Sequence, residues 1–327
     1  MNDLLQRYER EVVDFDCRRE IERICDHMRS ILRMKLHRRG LVVAVSGGID
    51  SSVSAALSVE ALGADKVFLL QLPETDSSRE TQSRSDVLIE HLKTECLTQN
   101  IAPTLEAIGC YAARDAAIKN TFPEYGAGWK NKIVIRGGLD GQINHFVLVV
   151  QTPGGQLLEK RLGIREYLQI VAATNYKQRI RKTIEYYHAD RLNYAVVGTP
   201  NRLEYDQGFF VKNGDGAADL KPIAHLYKTQ VYALARALDL PETVCNATPT
   251  TDTYSLPQGQ DEFYFALEYQ KMDLALWYYN AGASSGELAQ ALDIGDDLAE
   301  YIYKDIEGKR ATTKYLHYPP FTMEKPA

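Results

Sequence analysis

The sequence predicts an α/β fold: a doubly wound parallel sheet with helices on both faces, an inserted β-ribbon and a mainly helical C-terminal tail. Two patterns lead to this prediction. Before Cys110, continuous apolar runs of strand length alternate with helical patterns, as in a parallel sheet buried on both faces. Near the middle of the chain, short β-rich segments separated by glycine turns predict the ribbon.

The first half of the chain supplies the alternation that defines the sheet. In chain order we predict a helix over 17–34, a strand over 41–45 (LVVAV), a helix over 53–62, a strand over 67–72, a helix over about 84–96 and a third strand over 104–108. Strands joined by helices in this order are parallel, so the sheet should be Rossmann-like, with ligands at the carboxyl ends of its strands. The mouth of the site is therefore expected beside Ser46.

The second half begins with the ribbon. Between about residues 124 and 163 the segments KIVIRGG, NHFVLVVQTPGG and QLLEKRL carry glycine and proline turn signals. After it we predict a helix over 164–188, a strand over 194–198, a helix over 227–240 and a mainly helical tail beyond Phe263. No internal repeat is evident, so residues 1–327 are predicted to form a single domain that carries the ribbon.

Composition narrows the classes of partner. The formal net charge of −6 argues against a nucleic-acid partner, because such proteins usually carry a basic surface. No apolar run approaches the roughly 20 residues of a membrane span, and the start MNDLLQRYEREVVDFD is unlike a signal peptide. The 5 cysteines are widely spaced without a C-x-x-C pair, which argues against disulfides and zinc. We expect a cytoplasmic protein that acts on a small molecule.

The segment SGGIDSS is the strongest local signal, because it follows a buried strand and opens a helix. Two glycines let the backbone approach phosphate oxygens, and the serine hydroxyls and free helix N–H groups can bind them. Asp50 would repel a bare phosphate, so its presence predicts a bridging Mg²⁺. A simple strand-to-helix turn is the alternative. The predicted phosphate cradle, a binding site for ATP, consists of Ser46, Gly47, Gly48, Asp50, Ser51 and Ser52.

Further motifs in the second half identify the family. SGGIDSS differs from the G-x-x-x-x-G-K-[ST] and G-x-G-x-x-G loops and resembles the PP-loop of ATP pyrophosphatases. NYKQRIR, GTPNRLE, VKNGDGAADL and LYKTQV then occur in the order of the motifs of ammonia-dependent NAD synthetases. The similarity covers residues 41–110 and 164–276 and leaves the ribbon unmatched.

The resemblance implies a role for individual residues. Asp50 and Glu204 would bind Mg²⁺, and Asp50 and Lys228 would be catalytic. Thr199, Lys228 and Thr250 would bind ATP together with the cradle. The residues implied to bind the acid substrate are Arg179, Lys212, Asp219 and Lys314.

The resemblance also implies a reaction. The carboxylate of nicotinic acid adenine dinucleotide (deamido-NAD) would attack the α-phosphate of ATP, and ammonia would displace AMP to give NAD, AMP and pyrophosphate. ATP is the co-substrate and Mg²⁺ the cofactor, and no protein nucleophile is needed. Ammonia would be free or come from a separate glutaminase. Members of the family are usually homodimers.

Three departures from the family pattern bear on the substrate. TTKYLHYPP, at 312–320, replaces a His-Lys-Arg element that contacts the dinucleotide in the family and keeps only Lys314. Gln178, Pro200 and Arg202 also differ. The ribbon, with its basic residues, could be a lid, a partner surface or a passive insertion. The alternative functions are therefore a related ligase that amidates a different carboxylic acid in a specialised pathway, or a non-catalytic nucleotide-binding protein.

Overall fold

The computed structural model describes residues 3–137, 145–247, 253–259, 264 and 267–323. The strands of this part of the chain form two separate sheets. In chain order they are β1 (Leu41–Ala44), β2 (Val67–Gln71), β3 (Cys96–Thr98), β4 (Lys130–Arg136), β5 (His145–Gln151), β6 (Leu157–Arg161) and β7 (Ala195–Val196).

The α-helices precede, connect and follow these strands. They are α1 (Asp3–Tyr8), α2 (Cys17–Ile31), α3 (Ile49–Leu62), α4 (Arg79–Leu92), α5 (Ala102–Ala107), α6 (Cys110–Thr121), α7 (Ile164–Leu192), α8 (Arg202–Gln207), α9 (Lys228–Ala237), α10 (Glu242–Cys245), α11 (Tyr269–Asn280), α12 (Ser285–Leu292) and α13 (Asp296–Thr313). Short π-helical turns extend α1 and α2, and a 3₁₀ turn over Lys314–His317 follows α13.

The first sheet is parallel and has the strand order β3-β2-β1-β7. Leu41 of β1 is in register with Val67 on one side and with Ala195 on the other. Because β2 and β7 flank β1, the chain reverses its winding direction at β1. This is where open α/β sheets place their ligands, and it confirms the predicted parallel sheet.

Successive residues of the central strands point to opposite faces, and helices cover both. Val43 and Leu69 pack into a cluster with α2, α3 and α9, whereas Val42 and Leu70 pack into another cluster with α5, α6 and α7. Burial on both faces explains why these strands are continuous apolar runs in the sequence. Helices on both faces of the sheet are thus confirmed.

The second sheet is the predicted ribbon, an antiparallel sheet in the order β4-β5-β6. Its inner face, which includes Ile133, Leu148 and Val150, packs with Ile118 of α6 and Ile170 of α7. The tail is helical, as predicted: α11, α12 and α13 share a core that also receives Tyr8 from the start of the chain.

The third strand was misplaced by the sequence prediction. Residues 102–107, which overlap the predicted strand at 104–108, form α5, whereas the strand β3 lies at Cys96–Thr98. Ile101 and Leu105 are buried at helical spacing, and just before the helix the Asn100 side chain accepts from the Ala102 N–H at 2.9 Å. β3 is short and mostly exposed at the sheet edge, so its apolar signal is weak.

Helix ends differ more modestly from the predictions. α4 begins at Arg79, earlier than the predicted position 84, because the Ser78 side chain accepts from the Thr81 N–H and caps the helix. α3 likewise begins at Ile49, directly after the glycines. Among the described helices, none is both long and apolar enough to cross a membrane. A cytoplasmic location and a single-domain organisation stay predictions.

Candidate active site

A cavity of about 750 Å³ opens at the carboxyl ends of the parallel strands. Its walls include Val45 after β1, Leu72 after β2 and Thr199 after β7. Side chains of α4, α7 and α13, two residues of the ribbon and the turn that follows α13 also line it. Its volume is in the range of small-molecule sites. The cavity lies where the sequence placed the mouth of the site, beside Ser46.

The phosphate cradle is organised by its own serines. The Ser51 hydroxyl accepts from the Ser46 N–H at 3.2 Å and donates to the Gly48 carbonyl at 3.0 Å. Ser52 donates to the same carbonyl at 2.8 Å. Ser46, Gly48, Asp50 and Ser51 border the cavity, whereas Ser52 is fully buried behind it. The Ser52 hydroxyl therefore shapes the loop rather than facing a ligand.

Gly47 is required by the loop geometry. Its φ of 72° lies in the left-handed region, and a Cβ atom there would come within 2.3 Å of the Thr81 carbonyl of α4. Arg84 of α4 borders the cavity and donates to the Gly47 carbonyl at 3.2 Å. Helix α4 thus holds the cradle from outside. Sequence reasoning missed Arg84, because only the packing of α4 on the cradle reveals it.

A cluster that we call the carboxylate–lysine centre consists of Asp50, Asn201, Glu204 and Lys228. The Lys228 ammonium donates to Asp50 Oδ2, and Asn201 Nδ2 donates to Asp50 Oδ1 at 3.1 Å. Asn201 also caps α8 in a reciprocal capping box with Glu204, whose carboxylate accepts from the Asn201 N–H at 3.2 Å. Segments distant in sequence thus place two carboxylates and one cation at the cavity wall.

The electrostatics of this centre keep Lys228 charged. Burial alone lowers the pKa of the Lys228 ammonium, but the charges of Asp50 and Glu204 outweigh burial and raise the pKa above its usual value. Lys228 is only 2% exposed. A permanent, buried positive charge at the cavity wall is suited to stabilising negative charge on a ligand.

Asp273 of α11 anchors the helix that begins with Lys228. Its fully buried carboxylate accepts from the Lys228 N–H at 3.1 Å, from the Thr229 N–H at 2.7 Å and from the Thr229 hydroxyl at 2.7 Å. Burial raises the pKa of Asp273 to about 7, although these hydrogen bonds and the Lys228 charge act against it. Sequence reasoning missed Asp273, whose only signal is one acid within the apolar run MDLALWYY.

A second buried lysine, Lys177 of α7, borders the same cavity. Its ammonium donates to Glu74 at 3.0 Å, to Asp76 at 2.6 Å and to the Thr253 carbonyl at 3.0 Å. Tyr111 donates to Glu74 at 2.7 Å, and Arg114 donates to Asp76 at 2.7 Å. This Lys177 network fixes the loop after β2 against α6 and α7. Sequence reasoning treated the loop only as polar and missed the network.

The residues expected to bind the acid substrate are divided by the structure. Arg179 and Lys212 border the cavity, and Arg179 donates to the Lys212 carbonyl at 3.3 Å. Asp219 instead accepts from the Val196 N–H at 2.7 Å, beside the end of β7. Lys314 borders a separate pocket with Arg202 and His317. Thr250, expected to bind ATP, lies outside the described residues.

The departures from the family pattern occur largely at the cavity. Thr313 and Tyr315, in the altered C-terminal element, border it, as do Gln178 and Pro200. Lys212 donates to the Tyr315 carbonyl at 2.8 Å, which connects the altered element to a predicted substrate residue. The ribbon contributes Ile135 and Phe146 to the walls; its basic residues do not border the described cavity.

The donor set at the centre fits a magnesium ion shared with a nucleotide. Among the described residues, no group of three His, Cys, Asp or Glu side chains could hold a metal by itself. Mg²⁺ in nucleotide sites commonly uses one or two carboxylates together with phosphate oxygens and water. Asp50 and Glu204 both border the cavity, and both raise the pKa of the same lysine. Two such carboxylates are what a phosphate-bound Mg²⁺ needs.

Comparison with known proteins agrees with the motifs. A model of the NAD synthase family matches residues 20–123 and 153–314, and the gap between these parts contains β4 and β5 of the ribbon. The chain is also similar to an NH(3)-dependent NAD(+) synthetase of Rhizobium meliloti. The two are 55% identical over 302 residues, which make up 92% of this chain and 90% of that protein.

Two solved structures share the fold. The NMN synthetase from Francisella tularensis has a TM-score of 0.65 at 22% identity, with 95% of this chain and 100% of that chain covered. The NH3-dependent NAD synthetase from Campylobacter jejuni has a TM-score of 0.63 at 21% identity, with the same shares covered, 95% and 100%. At these identities the likeness concerns the fold alone.

Proposed function

This chain belongs to the NAD synthase family, and we propose from this premise that it is an ammonia-dependent NAD synthetase. It uses ATP to adenylylate the carboxylate of deamido-NAD and then amidates that carboxylate with ammonia, releasing AMP and pyrophosphate. It is thus a ligase that forms a carbon–nitrogen bond. Ammonia serves as the nitrogen donor without a requirement for a separate glutaminase.

The observation that carries this proposal is the carboxylate–lysine centre beside the phosphate cradle. Asp50 belongs to both, since it lies in the first turn of α3 and pairs with Lys228 of α9. A reaction at the α-phosphate of ATP needs the triphosphate to be held and its developing charge to be neutralised. The cradle provides the first requirement, and Lys228 provides a cation for the second.

Individual residues have distinct roles in the proposed reaction. Ser46, Gly48 and Ser51 hold the ATP phosphates, and Thr199, which also borders the cavity, contacts ATP. Lys228 stabilises charge on the departing pyrophosphate. Asp50 and Glu204 hold Mg²⁺, which supplies charge neutralisation and orientation of the phosphates. The attacking groups are the substrate carboxylate and ammonia, so the protein supplies no nucleophile.

Deamido-NAD is favoured over a different carboxylic acid by the sequence relative. The 55% identity to an NH(3)-dependent NAD(+) synthetase extends over 92% of the chain. Arg179 and Lys212 at the cavity would contact the acid substrate. Asp219 and Lys314 do not border the described cavity, so their substitution should affect substrate affinity less than substitution of Arg179 or Lys212.

Helix α7 supports the proposal of a homodimer. Ile164, Leu168, Tyr176 and Tyr187 all belong to it, and their side chains are exposed in the single chain. Ile164 and Leu168 are four positions apart, so they lie together on one side of the helix. Exposed apolar side chains in a row are typical of a contact surface between subunits.

The proposed function is tested by product formation. Purified protein is incubated with ATP, Mg²⁺, ammonium and deamido-NAD, and AMP and NAD are quantified by mass spectrometry. We expect equal amounts of both products, and loss of both in Asp50→Ala or after chelation of Mg²⁺. Nicotinic acid mononucleotide is tested in a parallel reaction in place of deamido-NAD. If it is amidated much faster than deamido-NAD, or if neither acid yields AMP, the assignment is wrong.

A further inference from the structure

The ribbon is firmly attached to the body of the protein, although the family model leaves β4 and β5 unmatched. Its inner face shares a buried core with α6 and α7. Lys160 of β6 adds a polar attachment by donating to the Thr121 carbonyl at 3.0 Å, with its ammonium 4.5 Å from the Phe122 ring centroid. A ribbon held on a shared core can present side chains at fixed positions.

A second attachment holds the free edge of β4. The segment 253–259 runs beside this strand: the Leu256 N–H donates to the Asn131 carbonyl at 3.1 Å, and Gln258 Nε2 donates to the Ile133 carbonyl at 2.5 Å. Leu256 packs on the outer face of the ribbon with Val134 and other valines. The ribbon is therefore fixed on its face and at its edge, which a passive surface insertion does not require.

One end of the inner face reaches the cavity. Ile135 of β4 and Phe146 of β5 are directly paired across the two strands, and both border the cavity. Phe146 stacks on Tyr167 of α7, with ring centroids 3.8 Å apart and an interplanar angle of 14°. Tyr167 borders the cavity as well. We call these three residues the ribbon wall.

The ribbon wall differs chemically from the part of the cavity formed by the cradle and the carboxylate–lysine centre. The cradle and the carboxylate–lysine centre are polar or charged, whereas the wall offers flat apolar and aromatic surface. Planar rings bind such surfaces by stacking or edge contacts, and the interaction tolerates many ring chemistries. A planar ring that carries the reacting group could lie against the wall with its reacting edge turned toward the charged side chains.

We propose that the ribbon wall binds the pyridine ring of deamido-NAD; this inference rests on the proposed function. The ring that bears the reacting carboxylate must enter the cavity that contains the ATP cradle, whereas the adenosine half can extend outside it. The residues assigned to ATP belong to neither the ribbon nor the first half of α7. The wall is therefore available to the acid substrate.

The position of Arg179 agrees with this placement. Tyr167 and Arg179 both face the cavity from α7 and are twelve positions apart. That separation corresponds to about 18 Å along a helix. An elongated dinucleotide with its ring at the ribbon wall could extend along α7 in the direction of Arg179. The ribbon thus becomes a determinant of substrate specificity that the family motifs do not contain.

The test measures binding of deamido-NAD to the full chain by calorimetry without ATP, beside steady-state kinetics. Phe146→Ala should raise the dissociation constant for deamido-NAD about tenfold, the size expected for loss of one ring contact. The KM for ATP and the kcat at saturating acid should stay within about twofold of wild type. Phe146→Tyr keeps an aromatic ring and should bind nearly as wild type does. Phe146→Leu retains apolar volume and substitutes for the alanine variant if that variant does not fold.

The matched control is Trp129→Ala. Trp129 packs on the same ribbon core as Phe146 but does not border the described cavity, so its loss should leave the dissociation constant unchanged. Nicotinic acid mononucleotide retains the pyridine ring, so the Phe146→Ala penalty should persist with it. Three results would overturn the proposal. The dissociation constant could rise for the dinucleotide but not for the mononucleotide, or Phe146→Ala could raise the KM for ATP instead. Trp129→Ala could also weaken acid binding as much as Phe146→Ala does. Each of these results leaves NAD formation by the wild-type protein, and hence the proposed function, intact.

Discussion

Lys177 and Lys228 are equally buried but differ in the number of their hydrogen-bond partners. Each is 2% exposed, borders the same cavity and pairs with an aspartate. The Lys177 ammonium has three acceptors, and its carboxylate partners are held further by Tyr111 and Arg114. Within the described part of the chain, the Lys228 ammonium has one hydrogen-bonded carboxylate partner, Asp50.

This difference indicates that one buried lysine stabilises the fold and the other is available to a ligand. Three acceptors use all three donor hydrogens of the Lys177 ammonium, so its charge serves the loop after β2. Lys228 keeps donor capacity that a phosphate can use. Burial and ion pairing alone therefore do not identify a catalytic lysine; the number of acceptors around its ammonium is the more useful criterion.

The largest effect is expected for the structural lysine. Lys177→Met leaves Glu74 buried without its cation and leaves Asp76 with Arg114 alone, and should lower the free energy of unfolding by about 3–5 kcal/mol. Urea unfolding followed by circular dichroism measures the change. Lys304→Met is the control, because Lys304 forms an exposed pair with Glu300 and its loss should cost much less stability. Similar losses in the two variants would contradict a structural role for Lys177.

The corresponding change at Lys228 should act on the reaction. Lys228→Met removes the cation that faces the phosphates and should lower kcat about 10²–10³-fold, as loss of one electrostatic contact to a transition state does. AMP release at saturating substrates measures it. Its stability loss should be smaller than that of Lys177→Met, because the Asp50 side chain is 16% exposed and keeps some water. If Lys177→Met folds and loses as much kcat as Lys228→Met, the two lysines do not have separate structural and catalytic roles.

A smaller effect concerns the anchor of Lys228. Burial raises the pKa of Asp273 from 3.8 to about 7, so the folded protein binds this proton more tightly than the unfolded chain. The resulting stability is fully present below pH 3.8 and is lost as the pH rises through about 7. Relative to Asp273→Asn, the wild-type free energy of unfolding should fall with rising pH by at most about 1.4 kcal/mol per unit.

The measurement for Asp273 is a set of urea unfolding curves between pH 5 and 8 for both proteins. Asp273→Asn is the reference for the wild-type protein, because all other titrating groups are common to both chains and cancel in the difference. A constant difference across this range would show that Asp273 is ionised throughout, held so by its three hydrogen bonds.

The smallest effect tests the third acceptor of Lys177. Ser255 accepts from the Asn131 N–H at 2.8 Å and so helps to position the nearby Thr253 carbonyl. Ser255→Ala should cost about 1 kcal/mol of unfolding free energy. In the Lys177→Met background this cost should change by at least about 0.5 kcal/mol, since the two contacts share one segment. Strict additivity in the double-mutant cycle would mean that Thr253 contributes nothing to the Lys177 network.

The contrast also explains what the sequence could predict. LVVAV followed by SGGIDSS predicts strand, cradle and helix because all the required signals are local. Spacing alone does not predict the pairing of Lys228 with Asp50: motif resemblance identifies both residues, and 178 positions separate them. Lys177 lies within NYKQRIR, but its partners Asp76 and Glu74 are 101 and 103 positions away in a loop outside the motifs, so the sequence did not indicate the network.

The same reasoning applies to the two predictions about the ribbon. Alternating apolar residues and glycine turns predicted its strands correctly. Its contribution to the cavity could not be predicted, because Phe146 meets Tyr167 only after the ribbon folds onto α7. The lysines and arginines of the ribbon are conspicuous in the sequence, yet the residues at the cavity are apolar. The alternation of apolar residues predicts which face of the ribbon is buried, but not which part of the protein packs against that face.

The segment beside β4 also has a consequence for association between molecules. An open ribbon has two edges at which strands of another molecule can add and start aggregation. The β4 edge is occupied by the chain's own segment 253–259, whereas the β6 edge presents the charged residues Glu159, Lys160 and Arg161. The first edge is protected only after the later segment has been synthesised and docked. A chain truncated before residue 253 would expose it, and nascent chains pass through that state during translation.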